Sequence, residues 1–393
     1  MEKVKERMLA HVEEVVAIEP ITGCDNIEYV TVLGWHVVQR KNTVKVGDKV
    51  VYIEIDSKVP ETNPSFAFLE SKKYKVKSIK MKGVISQGLI MAFNDLGLNA
   101  DDYNIGDDLT QTLGITKIDT EEEQRLQREE DALNIAKSKH TKFFDNKIVK
   151  KLMRYSWFRK LVLPKKNKET KGFPSFIHKT DETRIENMPS ILNNREKVWL
   201  QTEKVDGTSS TYAVKMINNK KHEFIVCSRN VRQAHKMTEQ DLKNNPNTYW
   251  EIALKYNIEN TLVKFHQNLK LTKDDVVILQ GEIIGESIQG NPYKLTGREF
   301  RGYNLIISNL KEGTYIRYAS EDAQNKMAEY NIPWVPILGY TTLPETMKEM
   351  KDLAEGDSKI NPKVKREGIV YRSEDGQESF KNVSNSYLLK HNG

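Results

Sequence analysis

Residues 10–17, 27–33, 35–39, 49–55, 74–81 and 87–92 are short β-rich runs in which apolar and polar residues mostly alternate, and Gly23, Gly34, Gly47-Asp48, Pro60 and Gly83 cut them apart. A two-residue period buries one face of each strand, and the breakers turn the chain back before a helix can form. Strands this short and closely spaced leave unpaired edges in an open sheet, and closure removes those edges. The pattern predicts a small antiparallel barrel over residues 1–115, of the OB type, and with it a nucleic-acid-binding domain. Lys72, Lys73, Lys75, Lys77, Lys80 and Lys82 crowd what reads as a single hairpin. Lysines there either keep a strand edge solvated or track a phosphate backbone, and on an OB barrel the second use is favoured.

At Thr120 the period changes. Thr120 with Glu121, Glu122 and Glu123 has the form of a capping box and opens a charged helix to about His140. A basic amphipathic helix follows over 143–163, with Leu152, Trp157 and Leu161 among lysines and arginines, and its expected use is packing between domains. Residues 116–172 are therefore a charged helical linker and 173–393 a second domain, as befits 393 residues, too many for one ordinary core. Charged residues make up 30%, and the net charge of +6 suits a polyanionic partner. Cys24 and Cys227 have no CxxC companion, which argues against a disulfide scaffold or structural zinc and for a reducing, cytoplasmic setting. No apolar run reaches the roughly 18 residues a membrane helix needs, and residues 1–10 are charged, so neither a span nor a secretory signal is expected. Zincin and P-loop motifs do not occur.

The second domain turns on Glu203-Lys204-Val205-Asp206-Gly207-Thr208-Ser209, set between two alternating runs that read as strand, tight turn and strand. Gly207 permits a sharp reversal. Lys204 at the strand end is a covalent nucleophile if its amine is kept neutral, and Asp206 would face a metal or a ribose beside it. Alone, these are also ordinary turn residues. Downstream, Glu282 interrupts the buried run Val276–Glu286 and is costly there without a partner or a task. Residues 179–187 read as a short helix closed by Pro189, and 248–268 as one helix with Trp250, Leu262 and Phe265 in the core.

Together these residues resemble the covalent nucleotidyltransferases, the superfamily of DNA ligases, RNA ligases and mRNA capping enzymes. Lys204-Val205-Asp206-Gly207 is similar to motif I, Ser228-Arg229-Asn230 to motif Ia, and Gly281-Glu282 to motif III. Phe300 with Tyr303-Asn304-Leu305 is similar to motif IIIa, Glu367-Gly368-Ile369-Val370 to motif IV and Phe380-Lys381 to motif V, all in the family's order. DNA ligases and capping enzymes usually carry the OB domain after the transferase, whereas here the barrel comes first. That order, with Lys179-Thr180-Asp181-Glu182 through Arg184 and Ile288-Gln289-Gly290-Asn291-Pro292-Tyr293, resembles the ATP-dependent RNA ligases with an N-terminal OB domain, of bacterial, protist and phage type. The fold implied is α+β: an OB-type barrel followed by an antiparallel-sheet nucleotidyltransferase (ATP-grasp-like adenylation) domain.

The resemblance implies that Lys204 attacks ATP and holds AMP, that AMP passes to an RNA 5′-phosphate, and that a 3′-OH displaces it. It gives Lys381 and Lys390 the charge on the α-phosphate and Arg184 the β- and γ-phosphates. Glu203 or Glu282 would accept from the ribose, and Tyr303 would stack on adenine. Gly207 would complete the nucleotide-binding turn, and Arg229 and Asn230 would sit near the ribose or the RNA end. Asp206, Glu282 and Glu367 would hold hydrated Mg²⁺ or Mn²⁺ through its waters. The metal with Lys381, Lys390 and Arg184 would favour the free amine of a lysine whose ordinary pKa is ~10.4. The implied partner is RNA, at nicks in duplexes, with the protein acting as a monomer in RNA repair. A DNA ligase or capping-type guanylyltransferase shares the lysine motif, and a non-catalytic nucleic-acid-binding module would use the basic barrel alone.

Overall fold

The structure is a computed structural model and describes residues 7–118, 149, 170–179, 181–218, 220–233, 235–374, 376 and 378–391. The helices expected over 120–140 and 143–163 lie outside the described residues, Val149 excepted. The strand Ala10–Pro20 is the spine of the N-terminal barrel. It pairs antiparallel with Ile27–Val32 and with Lys49–Ile53, while Trp35–Arg40 and Leu89–Met91 flank those partners. A register shift between Val15 and Ala17 lets one long strand serve both halves. The Gln87 N–H donates to the His36 carbonyl (2.8 Å) and the Gln39 side chain to the Ile90 carbonyl (2.8 Å), so the barrel is nearly closed. Val12, Val51, Ile53 and Phe66 fill one side of its core, and Trp35, Val30 and Tyr52 the other.

The strand expected over 74–81 is instead two. Lys75–Val76 pairs with Ser57–Lys58, and Ile79–Met81 pairs with Val84–Ser86 in a separate two-stranded ribbon. The six lysines therefore do not share a hairpin. Lys72 ends a 3₁₀ helix, Pro64–Lys72, that Lys73 caps, Lys75 lies on the barrel, and Lys80 and Lys82 stand exposed on the ribbon with Lys77 at its base. That helix starts where Pro64 takes a first helical position and Asn63 accepts from the Ser65 N–H, with Phe66 as its buried anchor.

The second domain has two sheets. Seven strands run in the order Thr170–Gly172, Val231–Gln233, Lys221–Ser228, Thr208–Asn218, Asp275–Gly285, Arg298–Asn309 and Thr314–Arg317. Five run in the order Thr183–Arg184, Ser379–Val383, Gly368–Ser373, Trp199–Lys204 and Ile337–Thr341. Of the helix expected over 179–187 only a 3₁₀ turn over Ile185–Asn187 forms; Thr183–Arg184 is a strand, and before it Glu182 accepts from Ser379 Oγ and Asp181 from Lys381 Nζ, which ties the segment to the sheet edge. The pairing is parallel and sets Arg184 opposite Lys381. The helix expected over 248–268 is broken into Thr248–Lys255 and Ile258–Asn268 by Asn257, which is left-handed at φ 48°. Trp250, Leu262 and Phe265 are core, as their spacing predicts. No helix among the described residues is long and apolar enough to cross a membrane.

The two domains share a core. Val383 and Leu388, from the end of the chain, are buried in the cluster that holds Trp35 and Tyr52 of the barrel. The Gly34 N–H donates to the Glu186 carbonyl (2.9 Å), and a Cβ at Gly34 would fall 2.9 Å from Glu186 Cα. Beside this contact runs a buried polar chain: His11 lies between Glu13 (2.6 Å) and Glu54 (3.3 Å), Glu54 accepts from the Asn187 amide (2.6 Å), and Asn187 accepts from the Trp35 indole. Burial works to lower the His11 pKa, but its bonds to Glu13 and Glu54 outweigh that and raise it to about 9. In the unfolded chain a histidine titrates near 6.5. The stabilisation is therefore whole below about pH 6.5 and is lost as pH rises toward 9. Thermal melts between pH 6 and 9.5 should show a steeper alkaline fall for the wild type than for His11→Gln, and parallel curves would refute the assignment.

Candidate active site

The strand Trp199–Lys204 pairs with Gly368–Ser373 and ends with Lys204 opposite Gly368. That register brings the Lys204 amine to 2.6 Å from Glu367 Oε1. The chain then turns through Val205, Asp206 and Gly207. Gly207 was expected for its freedom to reverse the chain, but the structure gives another reason. A Cβ there would lie 2.3 Å from the Ile283 carbonyl oxygen and 2.9 Å from Glu282 Cγ, so only glycine lets the turn press onto the Glu282 strand. Ser209 pairs with Glu282 across that ladder.

Lys204 thus sits among Glu367, Glu282 and Asp206. Burial works to lower its pKa, and these carboxylates, Glu367 first, outweigh burial and raise it, so the amine is held charged. The carboxylates crowd one another in turn. Burial pushes Glu282 up to about 8, with Lys204 opposing and Asp206 and Glu367 adding to the rise. Burial and the nearby Glu367 push Asp206 up to about 6. The Glu367 Oε2 atom is buried with no hydrogen-bond partner among the described residues. Nor do three His, Cys, Asp or Glu side chains among them gather closely enough to ligate an ion directly.

A second group of charges lies beside the first. Asp181 pairs with Lys117 from the end of the barrel, with Lys381 (3.0 Å) and with Arg229 (3.4 Å); burial works to raise its pKa, and the cations, Lys381 first, outweigh burial and hold the carboxyl well below the usual range. Burial lowers Lys381 to about 8, Asp181 resisting and Arg184 and Lys204 assisting. Arg184 is buried with its guanidinium 5.8 Å from the Trp35 ring centre, and Nη2 donates to Asp56 Oδ2 of the barrel (2.9 Å). Its Nε and Nη1 have no partner among the described residues.

Several expected site residues stand elsewhere. Glu203 does not open toward a ribose: it is buried, accepts from Ser358 Oγ and the Lys359 N–H (2.7 Å), and so pins the loop before motif IV. Lys390 is exposed on the closing helix Asn385–His391, whose Leu388 is buried against the barrel, and takes no part in the cluster around Lys204. Arg184, expected free for phosphates, has given one N–H to Asp56. Tyr303 is half-buried with its hydroxyl 3.0 Å from Ser209 Oγ, and Asn230 accepts from Lys179 Nζ (3.4 Å). Sequence reasoning missed Asp56, Asp181, Tyr293 and Tyr387. The Asp206 N–H donates to Tyr293 Oη (2.8 Å), and Tyr387 Oη donates to Asp206 Oδ2. Asp181 and Tyr293 lie inside blocks already quoted, which was a usable signal; Asp56 and Tyr387 carried none.

A family model described as RNA ligase matches residues 197–390, and one described as an OB-fold domain matches residues 9–93. Naegleria gruberi RNA ligase with PPi is 30% identical at a TM-score of 0.72, over 98% of this chain and 99% of that one. The chain belongs to the ATP-dependent RNA ligases. The same Naegleria enzyme solved as a mutant with AMP and Mn is 29% identical at a TM-score of 0.72, over 98% of this chain and 99% of that one. No curated protein matches this RNA ligase. The DNA-ligase, capping-enzyme and pure binding-module readings give way to it. The N-terminal OB domain and the sheet-rich nucleotidyltransferase domain behind it make the ligase a mixed α+β protein, as its sequence implied.

Proposed function

We propose that the ligase seals 3′-OH and 5′-phosphate RNA ends at nicks in duplexes, as an RNA-repair enzyme, with Lys204 as nucleophile. The observation that carries the reading is the Lys204 amine 2.6 Å from Glu367, inside a ring of carboxylates and beside the cations around Asp181. The proposed division is an OB domain over 1–115, a linker over 116–172 and an adenylation domain over 173–393. Lys204 Nζ gives up a proton and attacks the α-phosphorus of ATP; a P–N bond forms and the P–O bond to pyrophosphate breaks. AMP then passes to the RNA 5′-phosphate, freeing the lysine, and the 3′-OH displaces AMP as the phosphodiester forms.

Asp206, Glu282 and Glu367 fit a hydrated divalent cation: the donors are hard oxygens, one Glu367 oxygen is buried without a partner among the described residues, and burial first, then the neighbouring carboxylates, raise the pKa of the other two. Mg²⁺ or Mn²⁺, if held by these residues, would supply positive charge at the α-phosphate and would offset the carboxylates that keep the Lys204 amine charged. Lys381 would oppose the charge growing on the α-phosphate oxygens, and the Nε and Nη1 groups of Arg184, which have no partner among the described residues, would donate to the outer phosphates. Tyr303, Arg229 and Asn230 border the space for adenosine and the RNA end. The ribbon Ile79–Met81 with Val84–Ser86 suits the duplex on the 3′-OH side, offering exposed Lys80 and Lys82 to phosphates and exposed Ile79 and Met81 to a groove wall.

The test loads the wild type with α-³²P-ATP and chases it with three 5′-phosphate substrates: an RNA nick in a duplex, the same nick with a DNA 3′-OH, and single-stranded RNA. Release of label with sealing fastest at the RNA nick is the expected result. Equal rates on single strands would remove the nick preference, and equal rates on the DNA terminus the RNA one.

A further inference from the structure

The closing helix Asn385–His391 touches both domains. The Glu355 carboxylate anchors its start, accepting from Ser384 Oγ (2.8 Å) and from the Ser386 N–H (3.1 Å), while the Ser384 N–H donates to the Glu367 carbonyl (2.8 Å). Ser384 Oγ also accepts from the Tyr387 N–H (3.0 Å), which fixes the first turn. Within that turn, neighbouring side chains go to different domains. Leu388 is buried among Trp35, Val30 and Tyr52 of the barrel, and Tyr387, also buried, donates its hydroxyl to Asp206 Oδ2.

We propose that Tyr387 is a positioning residue for Asp206, and that the closing helix makes its placement depend on the barrel being docked. A donor on one carboxylate oxygen fixes the rotamer of Asp206 and leaves the other oxygen to face the reaction space. The backbone of Asp206 is held independently by Tyr293, so the hydroxyl of Tyr387 sets the side chain alone. Helix geometry ties Leu388 rigidly to Tyr387, so a barrel that lifts away withdraws the hydroxyl as well. The inference rests on the reading that Asp206 faces a hydrated cation. Outer partners of that kind are worth about 10–100-fold in metal affinity or activity.

Tyr387→Phe keeps the ring and removes only the donor. Two readouts follow Mn²⁺ dependence: single-turnover lysine adenylylation, and Mn²⁺ binding by electron paramagnetic resonance to unadenylylated protein holding a non-hydrolysable ATP analogue. The half-saturating Mn²⁺ concentration should rise about tenfold in both, with an unchanged melting temperature. An unaltered Mn²⁺ dependence would overturn the proposal. Asp206→Asn runs alongside: a shift there without one in Tyr387→Phe removes the role of Tyr387 alone, whereas no shift in either removes the metal reading as well. Leu388→Ala tests the coupling. Its effect should shrink in the Tyr387→Phe background, and full additivity would overturn the dependence on docking.

Discussion

Lys204→Ala is expected to form no lysyl-AMP, a loss of at least about 10⁴-fold in the first step, and Lys204→Arg should be equally silent. The arginine result separates charge from nucleophilicity. A guanidinium preserves the cation beside Glu367 but cannot be deprotonated in a protein, so it has no lone pair to offer phosphorus. The same Lys204→Ala protein should still seal RNA that already carries 5′-linked AMP, because the last step needs no attack by the lysine. Failure there would mean that Lys204 also holds the nicked end. The wild-type first step has a definite pH direction. Burial tends to lower the Lys204 pKa, yet Glu367 and its neighbours leave it raised, so the amine is largely charged at neutral pH and its reactive fraction grows as pH rises. Adenylylation measured by rapid quench should therefore climb through the neutral and mildly alkaline range. A flat profile would place the proton loss elsewhere.

Much of this site was legible in the residues before any geometry. Lys204, Glu282 and Glu367 are expensive where they stand, a lysine at a strand end and carboxylates on or beside β-branched runs, and side chains in such places declare a task. The barrel was legible for the related reason that alternation and glycine punctuation are local signals. What stayed hidden depends on register and on the meeting of the domains. Only the resemblance assigns Arg184 to the outer phosphates, on a stretch that reads as a short helix; its pairing opposite Lys381 and its contact with Asp56, which bury it where the domains meet, depend on register. Tyr387 looks like one more apolar position near the end of the chain, and its hydroxyl bonds to Asp206, 181 residues earlier. Glu203 erred in the opposite direction: adjacent to the nucleophile in sequence, it points into the other face of its strand, as period two requires, and spends its carboxylate on Ser358 and Lys359.

Arg184→Ala should carry a large stability cost at the domain junction. Arg184 is buried, and its removal leaves Asp56 without the cation that holds its carboxyl below the usual range, although burial pushes the other way. Breaking a buried pair costs about 3–5 kcal/mol, and the low end applies because the Asp56 side chain keeps 33% of its surface in water. Melting should fall by about 6–12 °C on the scaling for domains of this size. Asp56→Asn is the informative companion. Asp56 is left-handed at φ 65°, a conformation asparagine tolerates, so the substitution removes charge without adding backbone strain. It strands the Arg184 guanidinium, and its cost should not add to that of Arg184→Ala in the double variant. Adenylylation then divides the two roles of the arginine. Asp56→Asn leaves the free N–H groups of Arg184 in place for phosphate, so it should slow the first step far less than Arg184→Ala does at a temperature where both are folded. Equal slowing would make Arg184 a clamp between the domains and no more.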